Sequence, residues 1–172
     1  MKKIQAFTLI ELIVSTIIIA IVMPIVAAML FSIFRQQIQV GKMAEVKRQG
    51  DIALSRITTL INSNASTLWG ASEICNVASP NATAITTFRD AAGANSFGLS
   101  ILNGVLLVGP TYQASLTNSK VTVTNLLVQC RKISQFTKPL VNVSFTVTYN
   151  APASTIDVNP SLNYSTFILI RK

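Results

Sequence analysis

The chain has 172 residues, enough for one ordinary domain plus one long segment with a separate task, but not for two full domains. Half the residues are apolar, only 12% are charged, and the net charge is +8 with no histidine at all. Such a composition excludes Ser-His and Cys-His nucleophile arrangements, and it poses the question of where the apolar excess sits.

It sits at the N-terminus. Residues 7–34 form an almost unbroken apolar run whose only charge is Glu11. About 20 apolar residues span a bilayer at a rise of about 1.5 Å each, so this run is long enough to cross. Lys2 and Lys3 precede it, and positive charge keeps a flank on the cytoplasmic side. The Thr-, Ser- and Asn-rich remainder is then expected outside. A cleavable secretory signal is one competing reading, with Val26 and Ala28 meeting the small-residue rule for cleavage after Ala28. Its apolar stretch is longer than such signals use, and it contains an acid. A plain single-span anchor is the other, and Glu11 argues against it, because an intramembrane carboxylate must find a partner, take up a proton or cost several kcal/mol. Pro24 lies deep in the run, where a missing N–H and a clash with the preceding turn kink or loosen a helix.

The residues Lys2-Lys3-Ile4-Gln5-Ala6-Phe7-Thr8-Leu9-Ile10-Glu11-Leu12-Ile13-Val14 closely resemble the prepilin signature of type IV pilins and type II secretion pseudopilins. The resemblance is strong over about 30 residues and elsewhere extends only to architecture. It implies a leader of residues 1–6, cut between Ala6 and Phe7 by a prepilin peptidase on the cytoplasmic side, with Phe7 then N-methylated by the same peptidase/methyltransferase. The family usually has Gly before the cut, and Ala6 departs from that. Loss of the leader takes Lys2 and Lys3 with it. It leaves a cationic amine on Phe7, one helical turn from Glu11. The resemblance further implies that Glu11 meets the amine of a neighbouring subunit during assembly. An unpaired buried charge is strongly penalised even where the pair itself gains little, so such a contact sets axial register. Implied partners are other pilin subunits in a homo- or heteropolymer, the assembly platform in the membrane, and the lipid bilayer before assembly. The implied location is the cytoplasmic (inner) membrane in a single pass, N-terminus inside, and then a surface or periplasmic filament.

From Arg35 to about Asn64 the sequence turns amphipathic. Ala53, Ile57, Leu60, Ile61 and Asn64 share a face at helical spacing, with Lys47, Gln49, Asp51 and Arg56 off it. Glu45 with Arg48, and Lys47 with Asp51, stand at helix-neighbour separations, while Gly41 and Gly50 weaken the helix locally. The spacing predicts one nearly continuous helix from Phe7 to Ser63, divided into a membrane half (7–34) and an amphipathic half (35–64). No heptad repeat is sustained.

Residues 65–172 read as an exported β domain. Ser66–Thr87 looks like an irregular connector. Ser96–Leu102 and Val105–Val108 flank Asn103-Gly104, a strong two-residue hairpin signal. Lys120–Lys132 is rich in branched residues. Val141 to Tyr149 alternates cleanly with Asn142, Ser144, Thr146 and Thr148. Pro152 and Pro160 bound a loop before a terminal strand, Tyr164–Ile170. A helix followed by an antiparallel sheet predicts an α+β fold with one core.

Two cysteines, Cys75 and Cys130, suggest a disulfide in an exported domain, worth about 4 kcal/mol for a loop of that length in the chain-entropy model. Two buried thiols are the alternative. There is no CxxC spacing, no Gly-rich phosphate loop, and no acid pair at catalytic or metal-ligating spacing among Glu45, Asp51, Glu73, Asp90 and Asp157. No enzyme activity, cofactor or metal is therefore expected. The cations divide among the leader, the helix (Arg35, Lys42, Lys47, Arg48, Arg56) and the domain (Arg131, Lys132, Lys138, Arg171, Lys172) without a basic stripe carrying aromatics, so a solvated surface is favoured over nucleic-acid binding. Asn64, Asn81, Asn142 and Asn163 match the glycosylation tripeptide. The sequence thus favours a structural filament subunit. Alternatives are a minor pilin or pseudopilin that primes assembly for secretion or DNA uptake, and a membrane-anchored binding domain that never polymerises.

Overall fold

The computed structural model describes residues 8–65, 67–69, 81–83, 86–90, 92, 94–109, 114–132, 134, 137–150 and 159–170. The chain divides between Gly41 and Lys42 into two compact units. One helix, α1 (Leu9–Asn64), contributes to both.

In the first unit α1 is apolar from Leu9 to Phe34 apart from Glu11 and a few small polar residues, and its large apolar side chains are exposed, from 79% at Leu9 to 45% at Ile13. None of the described residues of this chain covers them. The stretch from Leu9 to Phe34 has a rise of about 39 Å, more than the roughly 30 Å hydrocarbon core of a bilayer. By length and composition this helix can cross a membrane. Helical geometry continues through Pro24 without interruption. The proline leaves only the Ala20 carbonyl without its usual donor, a loss that the surrounding turns tolerate.

The second unit is α+β, as expected. The second half of α1 lies on antiparallel strands that divide into two sheets. The first sheet has the order β1 (Thr67–Trp69), β3 (Thr86–Arg89), β4 (Asn95–Leu102), β5 (Val105–Gly109), β6 (Ala114–Ser115). The second has the order β2 (Asn81–Thr83), β7 (Val121–Arg131), β8 (Leu140–Tyr149), β9 (Ser161–Leu169). The β4–β5 hairpin turns at Asn103 (φ 52°) and Gly104 (φ 76°), the doubly left-handed pair that a type I′ turn requires. The Gly104 carbonyl accepts from Val123 N at 2.7 Å, tying the turn to the second sheet. In β7 the register with β8 shifts between Thr124 and Leu127, where Asn125 takes φ 55°. The extra residue lets buried Leu126 and Val128 follow Val121 and Val123 on the inner face.

Strand β8 alternates as its sequence demands, with Val141, Val143, Phe145 and Val147 buried. β9 begins at Ser161, earlier than the expected Tyr164, because register with β8 is kept down to Ser161 opposite Thr148. The expected irregular connector needs correction. Parts of Ser66–Thr87 pair as β1, β2 and the start of β3, so cross-strand bonding imposes extension on a segment with no alternation of its own.

One apolar cluster joins helix and strands. Val46, Ala53, Ile57 and Ile61 from α1 meet Leu99, Leu106, Val128, Val143 and Phe145, all essentially buried. The Phe88 and Phe97 rings stack with centroids 4.6 Å apart. Leu60 is only partly buried and Asn64 is exposed, so the buried helical face is turned slightly from the expected one. Gln49, expected off that face, is in fact buried, and both ends of its amide are hydrogen-bonded.

Candidate functional site

The first turn of α1 holds the acid singled out by the sequence. Thr8 immediately precedes the helix, and Glu11 is its third residue. Glu11 Oε2 accepts from Thr8 N and from Thr8 Oγ1, each at 3.1 Å, while Thr8 Oγ1 accepts from Glu11 N at 3.4 Å. This is a reciprocal capping box: two donors at the helix start are satisfied, and the carboxylate is drawn back over the N-terminal end of the helix. The partial positive charge of that end favours an anion there. Thr8 was missed as a site residue by the sequence reading, although Thr-x-x-Glu ahead of an apolar run is the capping-box pattern. Only one of the two Oε2-directed donors comes from a side chain, and Oε1 has no hydrogen-bond partner among the described residues. The carboxylate is therefore positioned but retains acceptor capacity.

Glu11 also borders a shallow groove with Ile10, Val14, Ser15 and Ile18. Pro24 borders another with Ala20, Met23, Val26, Ala27 and Leu30. Both are apolar hollows along a bare helix, the shape into which side chains of another helix pack. Ser15 and Thr16 close their hydroxyls onto the carbonyls of Leu12 and Ile13, at 2.9 Å each, so neither exposes an unsatisfied donor in this apolar stretch.

Ala6 and Phe7, the expected cleavage pair, and Phe7 as the methylation position lie outside the described residues. So does Cys75. Cys130 is fully buried on β7 and disulfide-bonded.

A second polar constellation lies in the second unit, where α1 enters the domain. Glu45 receives two bonds from Arg48, from Nε to Oε2 at 3.0 Å and from the terminal guanidinium nitrogen to Oε1 at 2.8 Å. Its Oε1 also accepts from Gln49 Nε2 and Asn118 Nδ2, both at 3.0 Å. Gln49 Oε1 in turn accepts from Asn118 N at 3.3 Å. The Arg48 guanidinium first, with Asn118 and Gln49 adding to it, holds the Glu45 carboxyl down at about 2, against an opposing contribution from burial. The same pair pushes the Arg48 guanidinium up. The Glu45–Arg48 pair was expected. The Lys47–Asp51 pair is not among the ion pairs of the described residues. With both oxygens of Glu45 hydrogen-bonded, this cluster latches the β6–β7 turn to the helix.

Residues 1–23 match the model of the prokaryotic N-terminal methylation motif. This chain carries the type IV pilin and pseudopilin signature. No curated protein and no solved structure matches it. The signature ends inside the first unit, and the fold as a whole is pilin-like: a long apolar N-terminal helix whose second half packs on antiparallel sheets. A pilin-type motif is that of a structural rather than an enzymatic family, and it implies dealings with pilin subunits and a prepilin peptidase in general. Together with the apolar helix it indicates membrane anchoring before assembly.

Proposed function

We propose that this chain is a structural subunit of a type IV pilus-like filament. A prepilin peptidase cuts it between Ala6 and Phe7, Phe7 is methylated, and the subunit polymerises through the first half of α1. Before assembly it resides in the cytoplasmic membrane with its N-terminus inside and residues 65–172 outside.

The observation that carries this reading is the pairing of an exposed apolar helix with a positioned acid. From Leu9 to Phe34 no described residue of the chain covers α1, so lipid or other helices must. In either environment the Glu11 carboxylate has an open acceptor oxygen and needs a cation. The amine released on Phe7 of an adjacent subunit is a donor of the right sign, and it arises only through processing. Mass spectrometry of the native N-terminus tests the reading directly. A methylated Phe7 is expected, and a native chain beginning at Met1 or Met29 would overturn it.

A further inference from the structure

We propose that the outer face of the second sheet, centred on Phe167, binds a neutral polysaccharide built of flat, equatorially substituted sugar rings.

The face follows from the alternation of the strands. Val141, Val143, Phe145 and Val147 of β8 are buried, so the residues between them point away from the core. Register carries this outer face onto both neighbours. Leu140 lies between Arg131 of β7 and Leu169 of β9, and Asn142 lies between Gln129 and Phe167. Phe167 is 68% exposed, more than any other large apolar side chain among the described residues of the second unit. Leu169 follows it on the same side of β9, with Leu140 directly opposite, so the ring belongs to a small apolar platform rather than standing alone.

The polar groups beside the platform are held in line. Ser165 Oγ donates to Asn142 Oδ1 at 3.1 Å, and Asn142 Nδ2 donates to Gln129 Oε1 at 3.5 Å, a relay that crosses all three strands. Further along the face, Thr146 Oγ1 donates to Asn163 Oδ1 at 2.9 Å. Each bond occupies an amide oxygen and fixes the amide plane. The NH2 groups of Gln129 and Asn163 then have no acceptor among the described residues, and each carries two donors.

Charge and size select the class of partner. β7, β8 and β9 hold no acid, and Arg131, at one end of the face, is their only charge. A nucleic acid or an anionic lipid surface would meet too few cations there. A protein partner would meet too little apolar surface: Phe167, Leu169 and Leu140 together expose roughly 300 Å², against about 800 Å² buried on each side of a stable protein interface. A sugar ring with equatorial hydroxyls matches what remains. Its C–H face lies flat on an aromatic ring, and the hydroxyls at its rim accept from amide donors. Phe167 and Asn163 stand four residues apart on β9, about 14 Å, a distance that several linked rings span and a single ring does not. A flat face touches only one side of each ring, so affinity has to come from several rings binding together.

The test titrates purified full-length chain, in dodecylphosphocholine micelles that carry no sugar, with cellohexaose up to about 10 mM. The side-chain amide resonances of Gln129 and Asn163 are followed by NMR. They are expected to shift together and to saturate with a Kd of about 1 mM. Phe167→Ala is expected to weaken binding about tenfold or more, whereas Phe167→Trp, which widens the platform, is expected to retain or tighten it. The cellouronate hexamer, with the same linkage and a carboxylate on every ring, is expected to bind more weakly. No saturable shift with cellohexaose, equal affinity in Phe167→Ala, or loss of binding in Phe167→Trp overturns the proposal. Equal or tighter binding of the acidic hexamer does so as well. So does a concentration-dependent shift of the same resonances without sugar, which would assign the face to a second copy of the chain.

Discussion

The phenol of Tyr164 on β9 lies across Gly50 of α1 and donates to the carbonyl of Lys47 at 3.1 Å. Any Cβ at position 50 would overlap that ring, so a glycine that lowers helix propensity by about 1 kcal/mol is what lets helix and sheet approach here. The ring also stacks on Phe145, centroids 5.5 Å apart. Gly50→Ala is therefore expected to destabilise the domain by about 1–3 kcal/mol, where propensity alone predicts a gain. Thermal unfolding of the full chain, followed by near-ultraviolet circular dichroism, measures it. Combining it with Tyr164→Ala should recover part of the loss, and full additivity of the two changes would show that the contact is not the cause.

Burial first, then the nearby Asp51, pushes the Tyr164 phenol up. Glu45 behaves oppositely. Its carboxyl falls from an ordinary 4.5 to about 2, first through its bonds from Arg48. A carboxyl held down in the folded state contributes stability that is complete above the unfolded value and is lost as pH falls through the folded one. Stability is thus expected to decline between about pH 4.5 and about pH 2. Glu45→Gln should lower stability at neutral pH and flatten that part of the acid profile. An unchanged acid limb in the variant would assign the loss to other groups.

Much of this architecture is legible in the sequence because its signals are local. Asn103-Gly104 encodes its own turn, and Val141 to Tyr149 encodes its own alternation, so both elements fall where expected. The extent of α1 is set by an apolar run and by helical spacing, again within the segment. What escapes is set by partners distant in sequence. Gln49 looks like a surface residue until Asn118, on a loop far along the chain, occupies its carbonyl oxygen. β2 is extended only because β7 pairs with it. At the N-terminus, Glu11 stands out by its cost, whereas Thr8 does not, because a threonine in an apolar run is cheap and signals its role only when it is read together with Glu11 three residues on.

Cys130 gives a covalent test of the domain. It is buried on the inner face of β7, paired across from Val141, and the chain contains only one other cysteine, Cys75. The non-reduced chain is expected to weigh two hydrogens less than the reduced chain, with a Cys75–Cys130 peptide pair on digestion. Cys130→Ser is expected to cost about 2–5 kcal/mol, from loss of the cross-link and from a hydroxyl placed in an apolar site. Chemical denaturation with and without reductant measures this. Equal midpoints under the two conditions would remove the cross-link from the account of stability.

Glu11 and Thr8 permit the sharpest separation between anchoring and assembly. Removing the acid makes the run more apolar, so Glu11→Val should insert in the membrane at least as well as the parent chain. Assembly should nevertheless fail, because an incoming subunit would bring its Phe7 amine into apolar surroundings with no carboxylate to meet it. Thr8→Val is expected to be milder: Glu11 keeps its charge but loses the side-chain donor at 3.1 Å and the reciprocal cap on its own N–H. Losing such a cap costs about 1 kcal/mol at the helix end, roughly a fivefold effect on an equilibrium. Thr8→Ser, which restores the hydroxyl, should return assembly to near the parent level. The readout is the ratio of sheared filament to membrane-retained subunit, taken alongside the N-terminal mass so that defects in processing are not mistaken for defects in polymerisation. Normal filament yield from Glu11→Val, with Phe7 correctly methylated, would mean that the acid has no part in joining subunits and that the apolar surface of α1 alone suffices.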